Sequence, residues 1–334
     1  MRLELPFSRC APIGLDIGGC SIKAVQCRRA GRAFVPFTSA RFARINNGVP
    51  IDANELTTIA AVLKRRGFVG REVVVSAWAD KLKSAPLELP AKGQNVPIDR
   101  LARAEFSRLH KVDLESSEFS YWETPTAIRQ GRATSLVSVA YAHADADQQT
   151  ALYESAGLRI SAIDTHGSSL VRACSAFVEP KRASAILDIG WTGAVLVLIR
   201  GSAVAYERRI PDLALSKIHE DLEEEMELSF QEALTALFDS SGERPPAVTE
   251  LLGDYFNLIA QELTKTFSYA RHQYPESPVE RVILAGGGAD FPDAAKQLEA
   301  HCGVETVRVA WSGANKAVEA PAMASAFGLS QFAD

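Results

Sequence analysis

The tetrapeptide Leu-Asp-Ile-Gly occurs twice in this chain, at Leu15–Gly18 and again at Leu187–Gly190. Each copy ends a strand-like apolar run. Each is followed by a second β-rich segment, Ser21–Cys27 or Ala194–Ile199, and by turn residues, Arg28–Arg32 or Arg200–Ser202. A third strand-like segment then follows, Ala33–Phe42 or Ala203–Ile210. Two copies of strand, tight turn, strand, turn, strand predict a duplicated unit rather than a solenoid, which would need several shorter repeats. A length of 334 residues suits two domains.

The repeated turn has a chemical use. Successive backbone N–H groups in a glycine turn form a concavity for anions. An Asp ending the preceding strand can hold a Mg²⁺ ion through waters, and that ion neutralises phosphate oxygens. Two such turns facing one another would clamp a polyphosphate. A lone Asp-x-Gly is equally a plain hairpin turn; the matched context of both copies favours the phosphate reading. A third element supports it. Arg281–Ala285 reads as a buried strand, Gly286-Gly287-Gly288 follows, then Asp290 as a helix N-cap with Pro292 in the first turn. Strand, glycine loop and helix N-terminus make a phosphate or nucleotide seat, or else a simple connector.

The remaining elements follow from punctuation and period. Asp52–Gly67 predicts a helix with Asp52 and Glu55 as a capping-type box, and Leu56, Ile59, Ala60 and Leu63 on one face. Arg71–Ser76 holds three consecutive valines and predicts a buried strand. From Ser84 to Asp164 the order is β-α-β-β-α-β: Ser84–Leu89, Pro97–His110, Glu118–Glu123, Thr134–Tyr141, Asp145–Gly157 and Arg159–Asp164. This suits a small inserted subdomain. Helices dominate after the second repeat. Leu213–Glu227 is an acidic, solvated helix. Ser229 and Glu232 form a capping box. Val248–His272 is long, with an apolar and aromatic core stripe, and the Ala-rich Glu319–Phe332 is small enough to pack closely on a sheet.

Composition excludes several classes. A formal net charge of -5 argues against a general nucleic-acid binder. Ala185–Ile199 is the most apolar run, but it is too short for a membrane span and contains Asp188 and Gly190. Met1–Cys10 lacks the apolar core of a secretory signal. Five cysteines without a Cys-x-x-Cys pair suggest neither a zinc site nor a disulfide framework, so a reducing cytoplasm is expected.

Taken in order, these features resemble the actin-like ATPase superfamily, and within it the PilM branch of type IV pilus assembly proteins, relatives of the division protein FtsA. The segments carrying the resemblance run from Ile13 to Lys23, Ser84 to Pro90, Leu284 to Pro292 and Ala322 to Leu329. It implies an α/β protein of actin-like ATPase fold: duplicated RNase H-like lobes with an FtsA/PilM-type inserted α+β subdomain. The first lobe would comprise residues 1–83, 164–181 and 310–334, the insert 84–163, and the second lobe 182–309. It also implies ATP and Mg²⁺ in the cleft between lobes. Asp16, Gly18, Gly19, Cys20, Ser21 and Lys23 match the first phosphate loop; Asp188, Gly190, Thr192 and Gly193 match the second; Gly286, Gly287 and Gly288 match the adenosine loop. Asp16 and Asp188 would hold the metal through water.

Function follows the same resemblance. It implies a cytoplasmic scaffold of the inner-membrane pilus platform, peripheral to the membrane. Its partner would be the short cytoplasmic tail of a PilN-like membrane protein, alongside other platform proteins and self-association. Weak or no hydrolysis is expected. Cys20 stands where the family has Ser, and Trp191 where small residues are usual. Ala214-Leu215 replace a Gly-Gly pair, and Leu234 and Leu237 fall where a Glu and a Lys help hold adenosine. Two leucines offer no hydrogen bonds. These departures keep open a nucleotide-free pseudo-ATPase scaffold. An active ATPase or kinase would need a base near the γ-phosphate; Asp164 and Asp16 are the nearby carboxylates, and His166 reads as a surface or core histidine.

Overall fold

A computed structural model describes residues 10–332 except 32, 94–95, 125–132, 180–181, 201–202, 240–243, 276 and 312–319. Residues 1–9 and 333–334, the turn positions Arg32, Gly201 and Ser202, and the expected helix start at Glu319 lie outside the described residues.

The first repeat forms β1 (Cys10–Ile17), β2 (Ser21–Ala30) and β3 (Ala33–Ala43), followed by α1 (Ala53–Arg65) and β4 (Glu72–Ser76). The chain continues through β5 (Lys83–Leu89), α2 (Ile98–His110), β6 (Ser117–Thr124), β7 (Thr134–Ala142), α3 (His143–Ser155), β8 (Arg159–Asp164) and α4 (His166–Cys174). The second repeat forms β9 (Ala183–Gly190), β10 (Gly193–Arg200) and β11 (Ala203–Ile210). Then come α5 (Leu215–Met226), α6 (Phe230–Phe238), α7 (Pro246–Gln273), β12 (Val279–Gly286), α8 (Ala294–Cys302), β13 (Glu305–Arg308) and α9 (Ala324–Ser330).

The duplication is topological as well as sequential. One sheet has the order β3-β2-β1-β4-β8 and the other β11-β10-β9-β12-β13. In each, three antiparallel strands from the repeat are extended by two parallel ones. A third sheet, β5-β7-β6, stands apart with its own core of Leu87, Phe106, Phe119 and Leu136 under α2. The six-element order expected from Ser84 to Asp164 is present, but its last strand, β8, pairs with β4 in the first sheet. Alternation alone cannot tell which sheet a strand joins, because pairing is settled by tertiary packing.

Three apolar layers hold the sheets. α1 and α3 cover the outer face of the first sheet through Leu56, Ile59, Leu63 and Tyr153. α5, α7 and α8 cover the outer face of the second through Leu222, Ile259 and Leu298. Between the sheets, α4 and α9 form a shared core in which Leu170 and Phe327 meet Val25, Val197 and Ile283. The Ala-rich tail thus packs closely, as its small side chains predict. Ser330, fully buried, donates to the Pro12 carbonyl at 3.0 Å and accepts the Cys27 N–H at 2.9 Å.

Three local expectations change. Asp52 does cap α1, accepting the Glu55 N–H at 2.8 Å, but the Glu55 carboxylate turns to Arg44 instead of back to the cap. Asp290 does not cap a helix; it ends a short 3-10 turn over Gly287–Asp290, and α8 starts at Ala294 after Asp293. The closing helix is shorter than expected, a 3-10 turn over Pro321–Met323 leading into α9. The capping box of Ser229 and Glu232 on α6 is present. Among the described residues no helix is long and apolar enough to cross a membrane.

Candidate functional site: the cleft between the two repeated turns

The repeated turns occupy equivalent places and face each other. In β1 and β2, Asp16 lies opposite Lys23; in β9 and β10, Asp188 lies opposite Val195. The same register therefore gives the first Asp a cross-strand cation and the second an apolar neighbour. Lys23 Nζ sits 3.2 Å from the Asp16 carboxylate. Asp188 takes its partner from the other lobe: His166 Nε2, at the start of α4, lies 2.6 Å from Asp188 Oδ2. Burial opposes a charged His166, but the bond to Asp188 and the charges of Asp188, Asp16 and Glu207 outweigh it and raise its pKa.

The turns meet at their tips. A Cβ on Gly19 would come within 2.7 Å of Thr192 Cγ2 and 2.9 Å of Trp191 Cδ1, so any side chain there would have to push the opposing turn's side chains aside. Trp191 occupies the position equivalent to Gly19. Its indole leans into the helical layer, 5.2 Å from the His219 ring and 5.7 Å from Phe230, while one edge touches the opposing turn. Arg44 fixes the first turn from behind: it donates to the Gly18 carbonyl at 3.1 Å and its own N–H reaches the Cys20 carbonyl at 2.9 Å. The guanidinium is held in turn by both Glu55 oxygens at 2.8 Å.

Behind the tips opens a cleft of about 920 Å³. Asp16, Gly18, Gly19, Cys20, Ser21, Lys23, Asp188, Gly190, Thr192, Gly193, Gly286 and Gly287 all line it. Gly288 does not: it is buried, with its Cα against Ile189. Gly286 has a φ of 80° and a Cβ there would lie 2.2 Å from Asp188 Oδ1, so the third loop crosses directly over the second Asp. Arg41, His166, Glu207, Arg209 and Ser325 also line the cleft and were not singled out for it by the sequence. The signal for His166 was its place directly after the Thr165 cap, whose side chain accepts the Ser168 N–H. A helix N-terminus at the end of a parallel strand points its first residues into the crevice. Asp164, by contrast, is not among the lining residues. Its carboxylate is engaged by Arg172 and by the Thr165 N–H at 2.7 Å.

Glu207 joins the lobes a second time. It reaches from β11 to the Gly167 N–H at the start of α4. Burial pushes its carboxyl pKa up, and the nearby charges of His166 and Arg209 and the Gly167 N–H only partly offset this. A carboxyl whose folded pKa exceeds its unfolded value favours folding below the unfolded pKa, and this advantage is lost as pH rises through the folded value. Glu207→Gln is therefore expected to raise the melting temperature at pH 8, with the difference from the parent shrinking towards pH 4. Thermal melts across that range check it; a lower melting temperature at pH 8 would contradict the assignment.

Around the two facing glycine turns the cleft also has Lys23, Arg41 and Arg209 on its walls, a charge that suits an anion. A magnesium ion would have to share Asp16 with Lys23 and Asp188 with His166. Among the described residues there is no cluster of three or more metal-ligating side chains. The other end is apolar, walled by Leu215, Leu234, Leu237, Phe238 and Phe291.

Two lobes of one topology around a cleft lined by paired Asp-x-Gly turns define a protein of actin-like ATPase fold, here carrying an extra α+β unit. The chain belongs to the family of the type IV pilus assembly protein PilM, whose sequence model matches residues 14–318. No curated protein sequence matches it. Among solved structures it is similar to a chain of the PilM-PilN type IV pilus biogenesis complex: 20% identity, 96% of this chain and 97% of that chain covered, TM-score 0.78. It is also similar to the ethanolamine utilization protein EutJ from Carboxydothermus hydrogenoformans, at 14% identity, 98% and 91% coverage and TM-score 0.58. The activator of 2-hydroxyisocaproyl-CoA dehydratase from Clostridium difficile, solved with bound ADPNP, matches at 13% identity, 96% and 93% coverage and TM-score 0.50. At these identities the likenesses show the fold.

Proposed function

We propose that this protein is a scaffold of a type IV pilus inner-membrane platform, working on the cytoplasmic face and docking the short tail of a PilN-like membrane protein. The observation that carries this reading is family membership together with a match to nearly the whole of a chain from a PilM-PilN complex. The insert supports a docking role. It keeps a separate core and braces against the second lobe, where Trp122 Nε1 donates to the Val204 carbonyl at 2.8 Å. Such a module can carry a partner without disturbing either main sheet. Titrating the purified chain with a synthetic PilN-type cytoplasmic tail tests this. A saturable one-to-one isotherm is expected, and absence of binding to every such tail from pilus-bearing hosts would sink the reading.

The cleft's part in this proposal is to bind ATP and couple occupancy to the angle between lobes. In this reading the turns at Gly18–Ser21 and Gly190–Gly193, with Lys23 beside the first, would hold the phosphates. Asp16 and Asp188 would hold a magnesium ion through water, in competition with Lys23 and His166. Little turnover is expected, as the family resemblance implies. Of the carboxylates lining the cleft, Asp16 and Asp188 are paired and Glu207 is buried against Gly167, while Asp80 stands apart from both turns. Mg-ATP should raise the melting temperature by mass action, while phosphate release stays at background. A second reading, a nucleotide-free scaffold, is favoured by the apolar wall of Leu234 and Leu237; calorimetry showing neither heat nor thermal shift with Mg-ATP would select it.

A further inference from the structure

We propose that the end of the first sheet away from its glycine turn is a basic surface that lies directly on anionic lipid headgroups. The inference rests on the membrane-proximal placement proposed above and adds a lipid contact to the docked tail. Cations gather at this end in a chain whose formal net charge is -5. β2 brings Arg28 and Arg29, set opposite Val35 and Phe34 of β3. α1 ends in Lys64 and Arg65, and the turn from α1 to β4 adds Arg66 and Arg71. Side chains of the strands hold that turn. Gln26 accepts the Val69 N–H and donates to the Val69 carbonyl, both at 2.8 Å, and Thr38 donates to the Arg66 carbonyl at 3.4 Å. Gln26 and Thr38 are themselves cross-strand partners, so turn and hairpin form one surface.

All of these cations are exposed, and among the described residues none is in an ion pair. Glu72, next to Arg71, is taken by Arg159. The α1 dipole accounts for Lys64 and Arg65 in the last helical turn. It does not account for Arg28, Arg29 and Arg71. Aromatic faces hold two of these heads without neutralising them: Arg28 Cζ stands 3.6 Å from the Phe37 ring centroid and Arg29 Cζ 5.5 Å from that of Phe34. Between the charges, Val35 is 50% exposed and Val69 54%. A Cβ on Gly67 or Gly70 would meet nothing within 4 Å, so the turn that carries Val69 projects into open space.

A broad lipid surface fits this arrangement better than a small anion or an acidic peptide. None of the six cations lines the cleft, and they spread over a hairpin, a helix end and a turn instead of converging on a point. Exposed aliphatic side chains add nothing for a purely ionic partner, but they gain where headgroups meet acyl chains. Each Lys or Arg near an anionic bilayer contributes a factor of about five in binding.

The test is cosedimentation of the full chain with phosphatidylcholine vesicles, with and without phosphatidylglycerol, beside titration with a poly-glutamate peptide. Binding is expected only to vesicles that contain phosphatidylglycerol, and it should fall steeply as salt rises. Arg66→Ala with Arg71→Ala should weaken it about twentyfold, the loss of two such charges. The backbone bonds of both residues survive, so the melting temperature should hold and a PilN-type tail should still bind. Val35→Gln with Val69→Gln keeps every charge and should weaken vesicle binding severalfold. No binding to anionic vesicles, equal binding to both vesicle types, or indifference to either pair of substitutions overturns the surface. Binding of poly-glutamate with vesicle binding absent assigns the patch to an acidic protein and overturns it as well. The scaffold reading stands or falls on the tail titration, which none of these outcomes alters.

Discussion

Glu55→Ala is expected to remove about 3–5 kcal/mol of folding stability, because it leaves the Arg44 guanidinium buried without its counter-charge. Both side chains are only 3% exposed, and the pair is bidentate at 2.8 Å. Arg44 also donates to the Gly18 and Val49 carbonyls, at 3.1 and 3.0 Å. The substitution therefore loosens the first glycine turn as well as the fold. Replacing both partners, as in Arg44→Met with Glu55→Leu, should recover much of the stability, since no lone charge is then buried. The pH dependence has a definite sign. The Arg44 bond holds the Glu55 carboxyl below its usual value despite burial. Its contribution is thus complete above the unfolded Glu pKa, about 4.3, and is lost as pH falls through the lowered folded value. Urea denaturation at pH 7 and again near pH 3 checks both parts. A loss under 1 kcal/mol at pH 7 would show that Arg44 does not depend on Glu55.

Gly328→Ala is expected to cost about 3 kcal/mol or more, at the upper end of overpacking. A Cβ there would lie 1.8 Å from the Ser169 carbonyl oxygen and 2.6 Å from its carbon. The obstacle is the backbone of α4, which cannot swing away like a side-chain end. α4 and α9 form the core shared by both sheets, so relief means forcing these two packed helices apart within it. Arg172 Nε also donates to the Gly328 carbonyl at 2.9 Å and would move with it. Gly253→Ala, inside α7 with nothing within 4 Å of the new Cβ, is the control; it should stabilise by about 0.5–1 kcal/mol by removing a helix-interior glycine. Chemical denaturation of the pair decides the matter. Equal midpoints for the two variants would mean that the α4–α9 crossing is looser than its geometry.

The strands, most helices and both glycine turns were legible because they are local: period-2 and period-3.6 patterns with caps at their ends. Asp16 and Asp188 were legible for the same reason, being parts of a repeated tetrapeptide. His166 was not. Nothing in its neighbourhood announces that Asp188 comes to 2.6 Å, since the two residues sit on different lobes. Glu207 and Arg209 were hidden for the reverse reason: they lie on a strand whose alternation reads as core and surface, and only the opposing lobe makes that surface the wall of a cleft. Glu55 was misread because a capping box and a buried ion pair draw on the same carboxylate; the arrival of Arg44 from the end of β3 decided between them.

By itself, then, the sequence determined the duplication, the two glycine turns, the inserted unit and, through family resemblance, the pilus assembly class. These depend on residue order and local periodicity, which survive without knowledge of contacts. Only the tertiary structure decided which sheet takes β8, and that Asp16 meets Lys23 while Asp188 meets His166. Those outcomes depend on which surfaces meet across the lobes, and burial and charge pairing are properties of the meeting rather than of either strand alone.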